Sequence, residues 1–460
     1  WGSLPREPAP IISMVTTPFR VAVIGAGPAG LAVSTLLARI SRCQVTLFDR
    51  SPELRPVGSG LLMQPTGMFV LQKMGLDEET LQRGAIISRL YGTTTASRPV
   101  LDLQYKDLGP GSFGVGMHRG ALWDILRKEL QHVDLQQVVS GVSVHRVVGE
   151  DEDQVFVVGD RGSREDQEIF GPFHLVVAAD GSRSVLRDSF PLLKSAKIYP
   201  WGALWTVCGN TMDTPAMHTL RQVYHGSSKM IGMLPVGNPD LDTTTASEQG
   251  PLASFFWSLP LLKYHDWVQT PLHHWKDEVI SLWPELEPVV TPLMRDQLQL
   301  AVYRDVRLKS WHGASLGKSS PWSKVVFIGD AAHGMSPQMG QGTNLALLDA
   351  WALAENVRDF VETHSLCSIL EKLCDQRKKH TWYYQFWSRW MTPLFQSHSV
   401  VGASLRDWTF PPMQRIPILR AEMLQALAGL RQGVWGRFPD AYHNVDALPG
   451  DTAKEKKLGA

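Results

Sequence analysis

The chain has 460 residues, with 45 basic (Lys, Arg) and 45 acidic (Asp, Glu) side chains and 43% hydrophobic residues. This balance is ordinary for a folded protein of two or three domains, and it gives no electrostatic case for nucleic acid as the main partner. The four cysteines show no metal-ligand spacing, so we expect reduced thiols in a cytoplasmic protein and no metal site. No apolar run reaches the roughly 20 residues that a membrane-spanning helix requires.

The two ends of the sequence differ from the rest. Residues 1–13 carry three prolines and precede Met14, which predicts a leader or tag remnant. The polar end, 447–460, is expected to be a flexible tail.

The first predicted elements form a βαβ unit. A buried strand, Phe19–Ile24, runs directly into a glycine-rich turn, Gly25–Gly30, that opens a helical pattern. A second strand, Gln44–Phe48, then ends at Asp49. A GxGxxG turn with an acid about 20 residues later is typical of dinucleotide-binding domains, although it does not separate NAD from FAD. The expected roles are a tight turn at Gly25, approach of the pyrophosphate at Gly27, helix–strand packing at Gly30 and binding of the adenosine ribose at Asp49.

A third strand-like run, 173–179, ends in Asp180, and Gly181, Ser184 and Arg187 follow it. Taken alone, Asp180 is explained by a helix cap that pairs with Arg187 on the surface. Because nucleotide-binding turns stand before and after this one, we favour a role for Asp180 in the same site.

Residues 188–324 alternate strand-like runs with turns, which predicts an antiparallel sheet. Aromatic side chains in these runs are candidate walls of a small-molecule pocket, although aromatic strand residues more often belong to the core. No cluster of His, Asp or Glu indicates an acid–base pair here, and His225 is the one candidate base. The candidate wall residues are Trp205, Phe256, Trp257 and Tyr303.

The stretch Gly329–Asn344 follows a strand-like run and precedes a long helical pattern. A glycine-rich turn that opens a helix suits a phosphate-bearing ligand, because the helix start offers unpaired N–H groups and the positive end of a dipole. Gly340 and Gly342 let the backbone approach a flat ring, and Asp330 can accept hydrogen bonds from a ribityl or ribose hydroxyl. One extended ligand that is held at one end by this turn and at the other end by the first turn would explain both, and this favours FAD over NAD.

The C-terminal segment Trp382–Met391 is unusually aromatic, with basic residues around it. We expect helices that pack against the nucleotide-binding domain. A peripheral membrane contact or a dimer contact is the alternative.

In this order, the three turns resemble the GxGxxG, DG and GD motifs of the single-component (class A) FAD-dependent monooxygenases, the aromatic hydroxylases that include para-hydroxybenzoate hydroxylase. The resemblance runs from about residue 19 to about residue 359, and more loosely beyond. It implies an α/β fold in which a Rossmann-type (GR2-like) FAD-binding domain carries an inserted antiparallel β-sheet substrate domain and C-terminal helices. The implied segments are 14–90, 112–195 and 315–390 for the FAD-binding domain, 91–111 and 196–314 for the substrate domain, and 391–446 for the C-terminal helical region.

The resemblance also implies the chemistry. FAD binds without a covalent link, NAD(P)H binds transiently to reduce it, and O2 then adds at the flavin C4a position. The resulting hydroperoxide hydroxylates or epoxidises an aromatic or polycyclic small molecule. Pro337 matches a proline whose backbone lines this oxygenation site, with turn rigidity as the alternative explanation. The implied FAD contacts are Gly25, Gly27, Ala29, Gly30, Asp49, Arg50, Arg119, Asp180, Gly329, Asp330, Gly340, Gly342, Thr343 and Asn344.

Three other functions stay open at this point. A flavin-dependent halogenase shares the fold, and Phe255–Pro260 is close to the WxWxIP motif of that class. A reductase or dehydrogenase of the same fold would not use O2, and a non-catalytic FAD-binding protein would not turn over at all. For the monooxygenase, the expected partners are a small aromatic or lipophilic substrate and O2, and the expected assembly is a monomer or homodimer.

Overall fold

The computed structural model describes residues 18–53, 58–149, 154–163, 165–210, 214–238, 250–360, 365–433 and 436–438. The predicted leader and tail lie outside these ranges. Within them the strands are β1 (Phe19–Ile24), β2 (Cys43–Asp49), β3 (Gly60–Met63), β4 (Ala85–Ile87), β5 (Arg89–Thr94), β6 (Pro99–Gln104), β7 (Gly114–His118), β8 (Gln137–Ser140), β9 (Ser143–Val148), β10 (Val155–Asp160), β11 (Gln167–Phe173), β12 (Leu175–Ala178), β13 (Leu193–Gly209), β14 (Thr219–His225), β15 (Lys229–Gly237), β16 (Leu252–Pro260), β17 (Gln299–Leu308), β18 (Val325–Phe327), β19 (Arg431–Gln432) and β20 (Gly436–Arg437).

The α-helices of the same ranges divide into three groups along the chain: those of the nucleotide-binding domain, a short set after β16, and a C-terminal set. They are α1 (Pro28–Ala38), α2 (Pro65–Met74), α3 (Asp77–Arg83), α4 (Arg119–Leu130), α5 (Val185–Asp188), α6 (Tyr264–Gln269), α7 (Leu272–Leu282), α8 (Glu287–Val290), α9 (Asp330–His333), α10 (Gly342–Phe360), α11 (Leu366–Phe395), α12 (Val400–Arg415) and α13 (Pro417–Leu427).

Five parallel strands form the sheet of the nucleotide-binding domain, in the order β18-β12-β1-β2-β8. The central strand β1 has the bounds predicted from its apolar run. Val21 and Val23 pack into the core on one face of the sheet, and Ala22 and Ile24 pack into a second core on the other. Burial on both faces explains why these strands read as continuous hydrophobic runs.

Parallel pairing brings the three predicted turns together, because the carboxyl ends of parallel strands lie at one edge of a sheet. Asp49 ends β2, and the chain leaves β1 at Gly25, β12 just before Asp180, and β18 just before Gly329. Motifs that lie up to 300 residues apart in the sequence thus share one edge.

A seven-stranded sheet covers this edge, in the order β17-β13-β16-β15-β14-β5-β6. Its pairs are antiparallel as predicted, except that β14 runs parallel to β5, with Thr219 opposite Arg89. One face packs under α7 and α8 through residues such as Phe255 and Trp275, and the other face packs against the end of α11 through Phe256 and its neighbours.

The C-terminal region is helical, as the sequence predicted. Helix α11 has 30 residues and runs through the predicted boundary between residues 390 and 391. Helix α12 begins at a Ser399 cap, whose hydroxyl accepts the Gly402 N–H at 2.9 Å. No helix in the described ranges combines the length and the hydropathy that crossing a membrane requires.

Candidate active site

The three turns are in direct contact with one another. Gly25 has a φ of +102°, and a Cβ on it would lie 2.7 Å from the Ala179 carbonyl oxygen, beside Asp180. Gly329 has a φ of +59°, and a Cβ on it would lie 3.3 Å from Cβ of Ala29 in α1. Both positions therefore need glycine, for the backbone angle and for the close approach. The first turn touches the other two and forms the centre of the site.

The glycines of the first turn do different things. A Cβ on Gly30 would overlap the Gly25 carbonyl oxygen, so Gly30 lets α1 pack against the strand. Among the described residues, none other than its chain neighbours has an atom within 4 Å of a Cβ on Gly27, which caps α1 without a side-chain hydrogen bond. Gly27 thus borders open space at a helix start, where N–H groups can donate to a pyrophosphate.

Asp49 holds the first turn in shape. Its carboxylate accepts the N–H of Ala26 at 2.7 Å and that of Ser51 at 2.8 Å. The Ala26 carbonyl in turn accepts the indole N–H of Trp123 at 2.8 Å. A carboxylate has about four acceptor positions, so Asp49 can still accept a ribose hydroxyl. The contribution of Trp123 was not predicted, because the resemblance linked only Arg119 of α4 to this site.

The Asp180 side chain has an unpartnered oxygen. Its Oδ1 is buried, and no described residue forms a hydrogen bond with it. Burial raises the pKa of Asp180 to about 6, which the Ser184 hydroxyl and the charges of Arg187 and Arg50 offset only in part. A buried acceptor without a donor is costly, so this oxygen fits a site that a ligand hydroxyl completes. The surface cap with a paired Arg187 is wrong, because Arg187 itself is fully buried.

The cation at the start of α4 lies on the same side of the site. Arg119 is exposed, and a Cβ on Gly58 would lie 2.6 Å from its Cδ atom. Its backbone N–H donates to the Ser59 carbonyl at 2.9 Å. No acid in the described ranges forms an ion pair with Arg119, so its charge is available to a phosphate. Arg50, also exposed, follows Asp49 at the end of β2.

The Gly-Asp turn presents a second acid to the site. Asp330 begins α9, and its side chain is exposed. Its Oδ1 lies 3.6 Å from where a Cβ on Gly342 would stand, at the start of α10. Gly340 has a φ of +61° just before this helix, and Thr343 is half-buried in the first helical turn. The carboxylate and the helix start therefore border the same opening.

Asn344, which the sequence predicted to contact FAD, joins two segments of the protein. The side chain is completely buried. Its Oδ1 accepts the Gln64 N–H at 2.9 Å, and its Nδ2 donates to the carbonyls of Leu62 at 3.1 Å and Gly340 at 3.2 Å. Asn344 thereby joins the end of β3 to the Gly-Asp turn.

Beneath this turn lies a buried charge network that the sequence analysis missed. The Asp349 carboxylate accepts the Gly329 N–H at 3.0 Å, His333 Nε2 at 2.6 Å and Arg377 Nε at 2.8 Å. Burial alone would raise the pKa of Asp349, but the charges of His333 and Arg377 outweigh it and lower the pKa to about 2. One feature of the sequence could have indicated this network: Asp349 is the single acid within the apolar helical run Leu345–Leu353.

The Pro337 turn is tied to α11. The Ser336 hydroxyl lies 2.7 Å from the Ser388 Oγ and 2.7 Å from the Thr392 Oγ1 atom. The Gly340 N–H donates to the Pro337 carbonyl at 2.9 Å. Pro337 is half-buried, and its backbone is held from both sides.

Three of the four predicted wall residues share one face of the seven-stranded sheet. The Gly60 N–H donates to the Ser254 Oγ at 2.9 Å, which sets this side of β16 against the nucleotide-binding domain. Phe256 is two residues further on the same face, with its ring centroid 4.9 Å from that of Trp205. The Trp205 indole N–H donates to the Tyr303 Oη at 2.9 Å. Alternation in a strand thus brings the three rings together.

Helix α11 connects this aromatic face to the Pro337 turn. Met391 packs both with the cluster that contains Phe256 and with the cluster that contains Met339. The Val306 N–H in β17 donates to the Gly334 carbonyl at 2.9 Å. The aromatic face and the turn are therefore joined through α11 and β17.

The other two candidates of this region lie elsewhere. Trp257 points to the far face of the sheet, where it packs 6.1 Å from Trp275 under α7, so its prediction as a wall residue is wrong. His225 is exposed at the end of β14, with Nδ1 3.5 Å from the Thr95 Oγ1 atom. Neither side chain is brought to the three turns.

Comparison with known proteins identifies this architecture. The sequence profile of the family described as FAD binding domain matches residues 18–301 and 318–384. The chain belongs to this family, the class A FAD-dependent monooxygenases. The monooxygenase is 28% identical to 6-methylpretetramide 4-monooxygenase of Streptomyces rimosus, over 72% of this chain and 73% of that protein. It is 26% identical to aurachin C monooxygenase/isomerase of Stigmatella aurantiaca, over 74% and 80%.

The fold of the monooxygenase is similar to that of a Klebsiella pneumoniae protein, HpxO, whose crystal structure contains FAD and uric acid. The TM-score is 0.68 at 17% identity, over 89% of this chain and 97% of that one. FAD, reduced by NAD(P)H, supplies the activation of O2. The residues described above fit FAD, because an unpartnered buried acceptor, an exposed acid, an exposed arginine and two open helix starts surround one space.

Proposed function

We propose that this monooxygenase hydroxylates or epoxidises an apolar aromatic or polycyclic molecule held between the Pro337 turn and the aromatic face formed by Trp205, Phe256 and Tyr303. The observation that carries the proposal is the composition of that face. The Trp205 N–H is already bound to the Tyr303 oxygen, so the rings offer mainly apolar surface. Apolar walls with few polar groups are typical of sites for small aromatic ligands.

We infer that the side chains around the three turns divide FAD between them. Asp49 would accept the adenosine ribose, Arg119 and Arg50 would face the phosphates, and Asp180 and Asp330 would accept hydroxyl groups of the extended chain. The open helix start at Gly27 supports the phosphate position. The backbone at Pro337, held between α11 and its own turn, would line the reacting side of the ring system.

The proposed wall does not supply a catalytic base. Burial raises the pKa of Tyr303 far above neutral pH, although the indole hydrogen bond from Trp205 offsets this slightly, so its phenol stays protonated. A substrate with a phenol or an electron-rich ring therefore has to be reactive without a base from this face.

The test is a turnover assay with the FAD-loaded enzyme. NAD(P)H oxidation and O2 uptake are measured against phenols, quinolones and polyketide aromatics, and products are analysed by mass spectrometry after reaction under ¹⁸O2. We expect apolar aromatics to accelerate NAD(P)H oxidation and to gain one labelled oxygen. A halogenated product in the presence of bromide, or turnover that needs no O2, would instead favour the halogenase or the dehydrogenase.

Two neighbouring residues give a matched pair for the pocket itself. Phe256 packs against the end of α11, on the face that also carries Trp205, whereas Phe255 lies on the opposite face under α7. We expect Phe256→Leu to raise KM for an aromatic substrate by about tenfold, since it removes ring stacking. Phe255→Leu should lower thermal stability and leave KM unchanged. Equal KM effects in the two variants would contradict the proposed pocket.

We also propose a cytoplasmic enzyme that works as a monomer or a homodimer. All four cysteines are free thiols, which supports a reducing compartment. Sedimentation velocity of the FAD-loaded enzyme over a range of concentrations distinguishes the two assemblies.

A further inference from the structure

The C-terminal helices expose a cluster of large apolar side chains. Six of them, which we call the tryptophan face, are between 40% and 81% exposed. Single exposed apolar residues are common on soluble proteins, but a contiguous group indicates a surface that contacts something else. The tryptophan face consists of Trp382, Trp387 and Trp390 in α11 and Val401, Leu405 and Trp408 in α12.

The two helices that carry these side chains are in direct contact. Phe386 stacks on Trp382 with ring centroids 5.3 Å apart and lies 6.2 Å from the ring of Trp390. Helix α12 starts against the last turn of α11, where a Cβ on Gly402 would lie 3.0 Å from the Pro393 carbonyl oxygen. The two helices that carry the exposed residues therefore meet at this corner.

A basic cleft borders the tryptophan face and shares Trp382 with it. The cleft has a volume of about 540 Å³ and lies between the end of β17 and α11. Its exposed lysines, Lys194, Lys309 and Lys378, form no ion pair with any described acid. Arg307 and Arg389 also line it, and both pair with Asp305. The acids that line it, Glu371 and Asp375, lie nearer the start of α11.

The free charges of the surrounding segment are basic. Between residues 376 and 421 the exposed side chains of Lys378, Lys379 and Arg415 form no ion pair with a described acid. The other basic residues of the segment are paired with carboxylates, and its single acid is Asp407. That acid is bonded to the buried Arg406 at 2.8 Å. If a second copy of the chain docked symmetrically on this face, the basic residues of one copy would lie against those of the other and repel them. An anionic surface would meet both the charge and the exposed tryptophans.

We propose that the tryptophan face and the basic cleft form a docking site for an anionic lipid bilayer. Tryptophan side chains favour the boundary between acyl chains and headgroups, where the ring is apolar and the N–H is hydrated. Lysines beside them lie at the depth of the phosphate groups and attract anionic lipids. The cleft next to Trp382 would take a phospholipid headgroup. This inference does not depend on which substrate the enzyme oxidises.

The test is flotation of the FAD-loaded enzyme with two kinds of vesicle, one of phosphatidylcholine alone and one that also contains phosphatidylserine. We expect the enzyme to float with the anionic vesicles, and added salt to weaken this binding. Trp387→Ser/Trp390→Ser/Trp408→Ser and Lys309→Glu/Lys378→Glu should each lower the partition coefficient on the order of tenfold or more. The flavin spectrum and the melting temperature report whether each variant is folded.

Matched controls lie on other surfaces. Leu262 is 93% exposed, so Leu262→Ser removes an exposed apolar side chain outside the tryptophan face. Lys263→Glu/Lys318→Glu reverses two exposed charges outside the cleft. We expect both controls to float like the wild type. The proposal is overturned if the wild type stays unbound, if the tryptophan and lysine variants float as well as the controls, or if light scattering shows that the tryptophan variant only converts a dimer to a monomer.

Discussion

The buried acid beneath the Gly-Asp turn offers the sharpest test of how this site is built. Asp349 bonds the Gly329 N–H and the side chains of His333 and Arg377, and its pKa falls from 3.8 to about 2. A carboxyl whose pKa drops by about 2 on folding contributes about 2 kcal/mol at neutral pH. Asp349→Asn also leaves a buried guanidinium without its carboxylate, which costs about 3–5 kcal/mol.

We therefore expect Asp349→Asn to lower the free energy of unfolding by about 2–5 kcal/mol at pH 7. Because the folded pKa is the lower one, this contribution is present above about pH 4 and is lost as pH falls towards 2. The difference in the free energy of unfolding between wild type and variant should therefore decrease as the pH falls from about 4 towards 2. FAD should also bind more weakly, since the single acceptor oxygen of an asparagine cannot serve the Gly329 N–H, His333 and Arg377 together.

Urea unfolding followed by tryptophan fluorescence gives the stability, and flavin fluorescence quenching gives the FAD dissociation constant. The control is Asp359→Asn in the same helix, where an exposed ion pair with Lys372 spans 3.1 Å. That change should stay within about 1 kcal/mol. Equal unfolding midpoints for the two variants would refute the network, and an unchanged FAD affinity in Asp349→Asn would refute its link to the cofactor.

Three further predictions concern the turns. Gly30→Ala should abolish FAD binding and lower the melting temperature, because the new Cβ would overlap the Gly25 carbonyl oxygen. In Gly27→Ala the new Cβ meets no described atom within 4 Å, so FAD binding should weaken while the melting temperature of the apoprotein stays unchanged. Because the pKa of Asp180 is raised to about 6, its contribution to apoprotein stability is present below about pH 4 and lost as pH rises through 6. Asp180→Asn should therefore raise the apoprotein melting temperature at pH 7 but not near pH 4, while FAD binding weakens; a higher melting temperature at both pH values would contradict this. Asn344→Ala should destabilise the enzyme by about 2–4 kcal/mol in urea unfolding, because buried backbone groups lose their partners; a change of less than about 1 kcal/mol would contradict the role of that amide.

Local patterns were enough to predict the nucleotide-binding half. The strand Phe19–Ile24 is buried on both faces, so it reads as an unbroken apolar run, and the glycines after it meet steric demands set within a few residues. Asp180 and Gly329 could be grouped with them because parallel strands end at one edge. The resemblance to the class A monooxygenases rests on that order of turns.

The wall of the proposed pocket shows where such reasoning stops. Alternation along β16 places Phe256 and Trp257 on opposite faces, but the period alone does not say which face meets the cofactor. That choice depends on what packs above and below the sheet. In this enzyme α7 covers Trp257, and the end of α11 packs beside Phe256.

The sequence by itself determined the βαβ unit, the three turns and the class of cofactor, because each depends on backbone angles and on contacts within a short segment. Only the tertiary structure decided that Asn344 and Asp349 hold the Gly-Asp turn and that Trp257 lies outside the pocket. It alone also decided that the tryptophans of α11 stay exposed. These outcomes depend on partners about 20 to 280 residues away in the sequence. The residues next to a side chain in the sequence do not identify such distant partners.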